Sequence, residues 1–484
     1  MILAFITAFL IGFVASLAVT PLTIRIGRRM ELYDPRAARK IHKKPMSRIG
    51  GFAIFLAFMM VAVPSIIFDP WNIFADVTRE MTVLLLTSSF IFIIGLIDDI
   101  SGMRAIVKLL AQILVAMVVC WCGILVEAIF GYRLGMLSWP VTILWIVGIT
   151  NAVNLIDGLD GLCAGICAMT CAVIATFTIV NNLDTVTVLI LAMLGGIAGF
   201  LIFNFNPAKI FMGDGGSMVL GFFIAVSSLI TPAKGAAAMG IALPALALGL
   251  PIFDMFLAVV RRILTRRSIF AADSGHIHHK LIQKGLSHRR AVIVLYLATF
   301  VIAAFGILMI SMKNISQFPI IATVFIILLV LFRVVGVFRV RRMFTSARDN
   351  FIRMLRVHRE RKIFEEMENE FTVIHTFDQW WQAMRNTVRR MGFLSVSIEM
   401  MDGSQAKTFE YVPPGSEEKL HSSRINIPIR REDSLLLSVV IEIPLGRSFE
   451  GVGRQLSLFG RLLDEHCYVQ QDTKEAPKNG KNHD

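Results

Sequence analysis

Four short polar stretches interrupt an otherwise apolar chain, and each carries residue types suited to phosphate or metal chemistry. The first is the adjacent pair Asp98-Asp99. The second runs Asn151-Ala-Val-Asn154-Leu-Ile-Asp157-Gly-Leu-Asp160-Gly161, with a polar side chain at every third position. The third, Asn204 to Ser217, holds Asn206, Lys209, Phe211, Gly213, Asp214 and Ser217. The fourth is His276-Ile277-His278-His279.

Two adjacent carboxylates at the negative end of a helix are disfavoured without a cation. A hard divalent ion with oxygen ligands removes that conflict, and Mg²⁺ takes one or two carboxylates together with substrate phosphates. The Gly-Asp-Gly-Gly-Ser stretch offers backbone amides at a helix start, where phosphate binds well. Asp157, Asp160 and Asp214 read alternatively as ordinary N-caps, although polar residues at three-residue intervals exceed what a cap requires. Lys108 lies one turn inside an apolar run, close to the Asp pair, where it either meets an anion or snorkels to the interface. Three clustered histidines suggest zinc, but their Arg-rich flanks suit phosphate contacts better.

The elements that must position these groups are membrane spans. Hydrophobic residues make up 55% of the 484 positions and charged residues 17%, with a mean hydropathy of +0.68. That balance points to bilayer as the main solvent. The net charge of +13 fits cytoplasmic loops, anionic lipid and phosphorylated substrates, with no nucleic-acid partner implied. Apolar runs fall near 2–24, 49–68, 81–97, 105–125, 138–150, 162–180, 186–203, 216–231, 236–259, 291–310 and 316–336, which predicts about eleven spans. The first run has its positive charges after it, at Arg25, Arg28 and Arg29, so it reads as a retained span rather than a signal peptide. Basic stretches at 25–48, 261–290 and 339–342 put the N-terminus outside and the C-terminus inside, with all four polar stretches on the cytoplasmic face. Cys163, Cys167 and Cys171 share a helical face and read as small residues packing between helices.

Beyond 340 the composition changes. Residues 341–372 form a charged connecting helix, a candidate homodimer contact, and 373–471 a small soluble α/β domain. In that domain Leu394, Val396, Ile398 and Met400 alternate with polar residues, as do Ile425, Ile427 and Ile429, and Leu437, Val439, Ile441 and Ile443. By fold analogy it resembles a GAF-type regulatory module. The tail 472–484 is polar and expected to be disordered. The fold class is therefore an all-α polytopic membrane protein with a C-terminal α/β domain.

The Pro45–Gly51 segment, the Asp pair, the Asn-x-x-Asn-x-x-Asp-Gly-x-Asp-Gly-Leu run, the Pro-Ala-Lys-Ile-Phe-Met-Gly-Asp run and the His-Ile-His-His box occur in that order. Together, over roughly residues 1–340, they resemble the polyprenyl-phosphate N-acetylhexosamine-1-phosphate transferase family. The histidine box is similar to that of the WecA/TagO-type GlcNAc-1-phosphate enzymes and unlike that of the phospho-MurNAc-pentapeptide transferases. The resemblance implies a Mg²⁺-dependent enzyme of the plasma membrane, with Mn²⁺ as the alternative ion. Its substrates are a UDP-N-acetylhexosamine and undecaprenyl phosphate, and its product starts a cell-envelope polysaccharide such as O-antigen or teichoic acid. By the same resemblance Asp214 is the metal ligand, and Asp98 and Asp99 bind metal or position the lipid phosphate, with Asp98 as a candidate base. Asn154 and Asp157 hold the nucleotide-sugar and support catalysis. Asp160 and Phe211 hold the uracil, and Lys44, Lys108, His276, His278 and His279 hold phosphates. Asn151, Gly213 and Ser217 belong to the substrate-binding runs. The rival from another class is a transporter, which places ionisable groups near mid-membrane on broken helices and often carries internal repeats. Nearly charge-free spans and polar residues gathered at one interface favour the enzyme.

Overall fold

Small residues at four-residue spacing set the first contact of the bundle. Helix α1 (Ile2–Arg29) buries Ala4, Ala8, Gly12 and Ser16 along one face, opposite Gly195 and Gly199 of α7 (Asp184–Asn204). A side chain at Gly12 or Gly199 would come within 2.5 Å of a carbonyl oxygen of the other helix. The backbones therefore touch, as small-xxx-small faces allow.

The computed structural model describes residues 1–33, 46–69, 71, 73, 79–129, 132–230, 237–265, 268, 275–311, 318–337, 348, 352, 354, 361–402, 405–414, 422–431, 434–444 and 449–466. The chain divides into two units, Met1–Ala347 and Arg348–Asp484. In the first, the remaining helices are α2 (Gly51–Phe68), α3 (Arg79–Ser101), α4 (Ala105–Trp121), α5 (Ser138–Ile156), α6 (Leu162–Val180), α8 (Gly213–Ile230), α9 (Ala237–Ala247), α10 (Gly249–Leu264), α11 (Ile277–Gln283), α12 (His288–Ser311) and α13 (Phe318–Val335). Among the described residues, eight helices are long and apolar enough to cross a membrane: α1, α2, α3, α5 with the turn before it, α6, α7, α8 and α12. α4 and residues 319–335 of α13 are shorter apolar helices. Each expected apolar run contains a helix, but the ninth is broken between α9 and α10 at Leu248. Pro251 lacks the N–H that would bond the carbonyl of Ala247, so the ladder is interrupted there.

Two other details depart from the sequence reading. A short hairpin, β1 (Ala128–Ile129) and β2 (Tyr132–Arg133), links α4 to α5. α5 extends six residues past the expected end, so Asn151 and Asn154 lie on its last turns and Asp157 is its C-cap. Gly161, not an aspartate, is the N-cap of α6, so Asp157 and Asp160 are not N-caps.

Helix α8 is the centre of the bundle. Every residue from Gly215 to Ile230 is buried, as expected for a helix apolar all round. Phe222 and Phe223 are fully enclosed, and Phe223 meets Phe58 of α2 edge-on at 5.2 Å. Cys163, Cys167 and Cys171 are buried in the same core, as free thiols.

The second unit is an α/β domain with one covered sheet face. Strands β3 (Ser395–Asp402), β4 (Gln405–Tyr411), β5 (Ser422–Arg431) and β6 (Ser434–Pro444) form an antiparallel sheet in the order β4-β3-β6-β5. Alternation puts Val396, Ile398, Leu437, Val439, Ile441 and Ile443 on the buried face. Pro428 sits in β5, an edge strand, where its missing N–H costs little. The core is closed by the helical residues 361–371 (α14), α15 (Phe377–Met391) and α16 (Phe449–His466). α15 starts on Thr376, whose hydroxyl accepts Gln379 N–H, and ends on Gly392 in the left-handed region. Phe364, Met367 and Phe371, placed by sequence on the connecting helix 341–372, are buried in this domain core. The stretch 341–347 and the tail 472–484 lie outside the described residues.

Candidate active site

Where α3 ends and α8 begins, three carboxylates and a lysine meet. Gly95 of α3 and Gly215 of α8 lie so close that a Cβ on Gly95 would fall 2.5 Å from the Gly215 Cα. One turn on, the Asp99 carboxylate accepts the backbone N–H groups of Asp214 at 2.8 Å and of Gly215 at 2.9 Å. A carboxylate is favoured at a helix N-terminus, so Asp99 fastens α8 in place. These are two of the amides that the sequence offered to a phosphate, and Asp99 occupies them. Gly213 takes φ +78°, and a side chain there would strike both the Arg48 carbonyl and the Asp99 carboxylate.

Asp98 is buried beside it and is compensated differently. Its Oδ1 accepts Met103 N–H at 2.5 Å, and its Oδ2 lies 2.7 Å from the Lys108 Nζ of α4. The same ammonium is 3.3 Å from Asp214 Oδ2. Lys108 therefore points inward between two carboxylates rather than out to the interface. The Asp pair at the end of α3 is thus stabilised by protein groups on both members, α8 amides for Asp99 and Lys108 for Asp98.

The polar residues of α5 face this cluster and tie it to the neighbouring turns. Ser217 donates to Asn154 Oδ1 at 3.1 Å and to the Gly213 carbonyl at 3.0 Å. Asn151 donates to Gln112 Oε1 of α4 at 2.5 Å, joining α5 to α4. The turn from Asp157 to Gly161 is held from two sides. Gly161 N–H donates to Asn204 Oδ1 at 3.1 Å, and the Tyr296 hydroxyl of α12 donates to the Gly161 carbonyl. Asp160 accepts from Asn206 Nδ2 at 2.9 Å and from Ala208 N–H at 3.1 Å, which joins this turn to the 204–212 loop. The loop then docks the segment entering α2: Phe211 N–H donates to Ser47 O at 2.9 Å, and Gly51 N–H to Met212 O at 2.7 Å. Phe211 is half-buried. Lys44 lies outside the described residues.

The three histidines occupy three different environments. His276 is buried, with Nδ1 3.2 Å from Asp254 Oδ2. His278 is buried against the Asp157–Gly161 turn, where a Cβ on Gly158 would fall 2.7 Å from its Nε2. Burial, reinforced by the neighbouring His279, His276 and His288, pushes the His278 imidazole down to about 3. It is neutral at physiological pH. His279 is exposed, with its ring 4.3 Å from that of His278. Asp254, Gln112 and Tyr296 were missed by the sequence reading. Asp254 carried the clearest signal, an ionisable residue inside an apolar run.

Asp98, Asp99 and Asp214 do not form one three-carboxylate nest. Among the described residues, the group of three metal-type side chains with ligand atoms within 4.8 Å of one another is Glu368, Glu465 and His466 in the second unit. There Arg461 already pairs with Glu465 at 2.9 Å. For a divalent ion in the bundle, the fitting pair is Asp98 and Asp214, which share the Lys108 charge and offer only oxygen. Two carboxylates plus substrate phosphates suit Mg²⁺.

An apolar bundle that gathers paired carboxylates, a lysine, amides and histidines at one end defines a membrane-embedded site for anionic substrates. The comparisons with known proteins agree. Residues 81–232 match the family model for glycosyl transferase family 4. A probable undecaprenyl-phosphate N-acetylglucosaminyl 1-phosphate transferase of Bacillus subtilis is 37% identical over 310 residues, covering 63% of this chain and 84% of the relative. A decaprenyl-phosphate N-acetylglucosaminephosphotransferase of Mycobacterium tuberculosis is 33% identical over 328 residues, covering 62% and 80%. A phospho-N-acetylmuramoyl-pentapeptide-transferase of Desulforudis audaxviator is 30% identical over 331 residues, covering 62% and 95%. The chain belongs to glycosyl transferase family 4, as its motifs imply.

Proposed function

We propose that this protein transfers N-acetylglucosamine-1-phosphate from UDP-N-acetylglucosamine to undecaprenyl phosphate, releasing UMP. The observation that carries the reading is Lys108 between Asp98 and Asp214, at the membrane-helix end where a lipid phosphate arrives. The relatives named as GlcNAc-1-phosphate transferases support the same donor and a polyprenyl-phosphate acceptor.

An oxygen of the lipid phosphate attacks the sugar-bearing phosphorus. The bond from that phosphorus to the oxygen of the UMP phosphate breaks, and the lipid-linked diphosphate sugar forms. A phosphate monoester has its second pKa near about 6, so the nucleophile is already largely ionised. The main barrier is bringing two anions together, which cationic groups aimed at the developing charge lower. Lys108 attracts the lipid phosphate and keeps Asp98 and Asp214 apart in charge. Asp99 holds the start of α8, so Asp214 has a fixed position. Asn154, fixed by Ser217, and Asp157 orient the nucleotide-sugar. Asp160 and Phe211 border the uracil subsite, and Lys44 with the histidine box meets the diphosphate. Asp98 and Asp214 would hold Mg²⁺ or Mn²⁺, which would supply further neutralisation of phosphate charge.

The positive-inside pattern supports about eleven crossings, an outside N-terminus and an active site on the cytoplasmic face of the plasma membrane. The second unit supplies none of these residues, so we assign it regulation or recruitment, with self-association as one route. The test is UMP release by purified protein with undecaprenyl phosphate and a panel of UDP-sugars. UDP-GlcNAc gives the fastest release. Release only from the UDP-MurNAc-pentapeptide donor contradicts the assignment.

A further inference from the structure

Helix α4 is held to the bundle along a narrow seam. Its buried residues are Gln112, Ala116, Val119 and Cys120, while Leu110, Leu114, Val118 and Trp121 are exposed. Apolar side chains facing lipid give such a helix little directional preference, because lipid tails are as apolar as they are. Polar contacts must then fix its roll and height. Gln112 makes one of them, and the residue is only 2% exposed. Its Oε1 accepts Asn151 Nδ2 of α5 at 2.5 Å, and the same Nδ2 donates to the Val147 carbonyl at 2.8 Å. A main-chain carbonyl only accepts, so Asn151 turns its amide nitrogen this way and Gln112 answers with its oxygen.

We propose that Gln112 is a positioning residue for Lys108: by locking α4 to α5 through Asn151, it holds the Lys108 ammonium where Asp98 and Asp214 meet. Lys108 and Gln112 are one turn apart on α4 and so share a face. Lys108 Nζ sits at the end of a flexible stem, 2.7 Å from Asp98 Oδ2 and 3.3 Å from Asp214 Oδ2. Lys108 thus ties α4 to α3 and α8, and Gln112 ties it to α5. Without the α5 tie, a small roll of α4 moves the Lys108 backbone and shifts the ammonium against its two carboxylates. This rests on the reading above, in which Lys108 receives the lipid phosphate.

The test is steady-state kinetics on two variants, alone and combined with Lys108→Gln. Gln112→Leu fills a similar volume and removes the acceptor. Gln112→Asn keeps an amide but withdraws it by one methylene, and it decides alone if Gln112→Leu does not fold. In each, kcat/KM for undecaprenyl phosphate should fall roughly three- to twentyfold, the range an interhelical hydrogen bond spans in a membrane protein. KM for UDP-GlcNAc changes little, since Asn151 keeps its bond to the Val147 carbonyl. Made in a Lys108→Gln background, the same substitutions cause no further loss for the lipid, because the group they position is gone. A further loss of the same size there shows that Gln112 acts by another route and overturns the proposal. An equal loss on both substrates also overturns it, as the mark of a general disruption of the bundle. So do parental kinetics in folded Gln112→Leu, or in Gln112→Asn where that variant decides. Lys108→Gln with parental kcat/KM for the lipid overturns the reading of Lys108 itself, and the positioning role with it.

Discussion

The Asp99 carboxylate on α3 accepts the backbone N–H of Asp214 on α8 at 2.8 Å, which makes one acidic residue the support of the other. Asp99→Ala is expected to lose turnover and to lower stability by about 1–3 kcal/mol, the cost of leaving buried donors unmade. Thermal melts in detergent check this. Asp98→Asn removes no helix-end acceptor and lowers the melting temperature less, so equal melting losses count against the division of labour.

Lys108 holds two carboxylates, at 2.7 and 3.3 Å, from a position only partly exposed. Lys108→Gln removes the charge that, under the proposed function, receives the lipid phosphate. Its kcat/KM for undecaprenyl phosphate should fall by roughly 10²-fold, with a smaller rise in KM for UDP-GlcNAc. Steady-state kinetics with each substrate varied in turn distinguishes this from equal loss on both.

His278 gives a pH signature. Its folded value near about 3 lies below the unfolded value of 6.5, so the unfolded chain takes up a proton first on acidification. The stability it contributes is present above 6.5 and is lost as pH falls from there towards 3. His278→Gln should therefore show a shallower drop in melting temperature between pH 7.5 and 5 than the parent protein. Identical slopes contradict a buried neutral imidazole.

The motifs were legible because their chemistry is local, but their joints were not. Asp160 illustrates the difference. The resemblance gives it to a uracil, while the hydrogen bonds its Oδ2 accepts from Asn206 and Ala208 are set by how two distant turns meet. Asp99 is similar, since only the packing of Gly95 on Gly215 brings α8 amides within its reach. Apolar runs located the helices, yet the break at Leu248 followed from Pro251, which hydropathy does not register. In the second unit, alternation gave the strands, while the burial of Phe364, Met367 and Phe371 depends on tertiary packing.

The second unit has its own core, and the motifs of the proposed site all lie in the first. A chain ending at Ala347 should keep turnover with both substrates, with changes confined to self-association or response to effectors. Folded truncated protein that binds both substrates but makes no UMP places part of the catalytic machinery beyond 347.

Under the proposed function, the phosphoryl group moves at the Asp98–Lys108–Asp214 cluster. The most direct measurement is UMP formation from UDP-GlcNAc, with and without undecaprenyl phosphate, for the parent protein and for Asp214→Asn. The parent should form UMP only when both substrates and Mg²⁺ are present, and EDTA should stop it reversibly. Asp214→Asn, folded and still binding donor, should be slower by roughly 10²- to 10³-fold, the effect of removing one group that stabilises transition-state charge. Parental rates from Asp214→Asn, or full activity in EDTA, contradict the account.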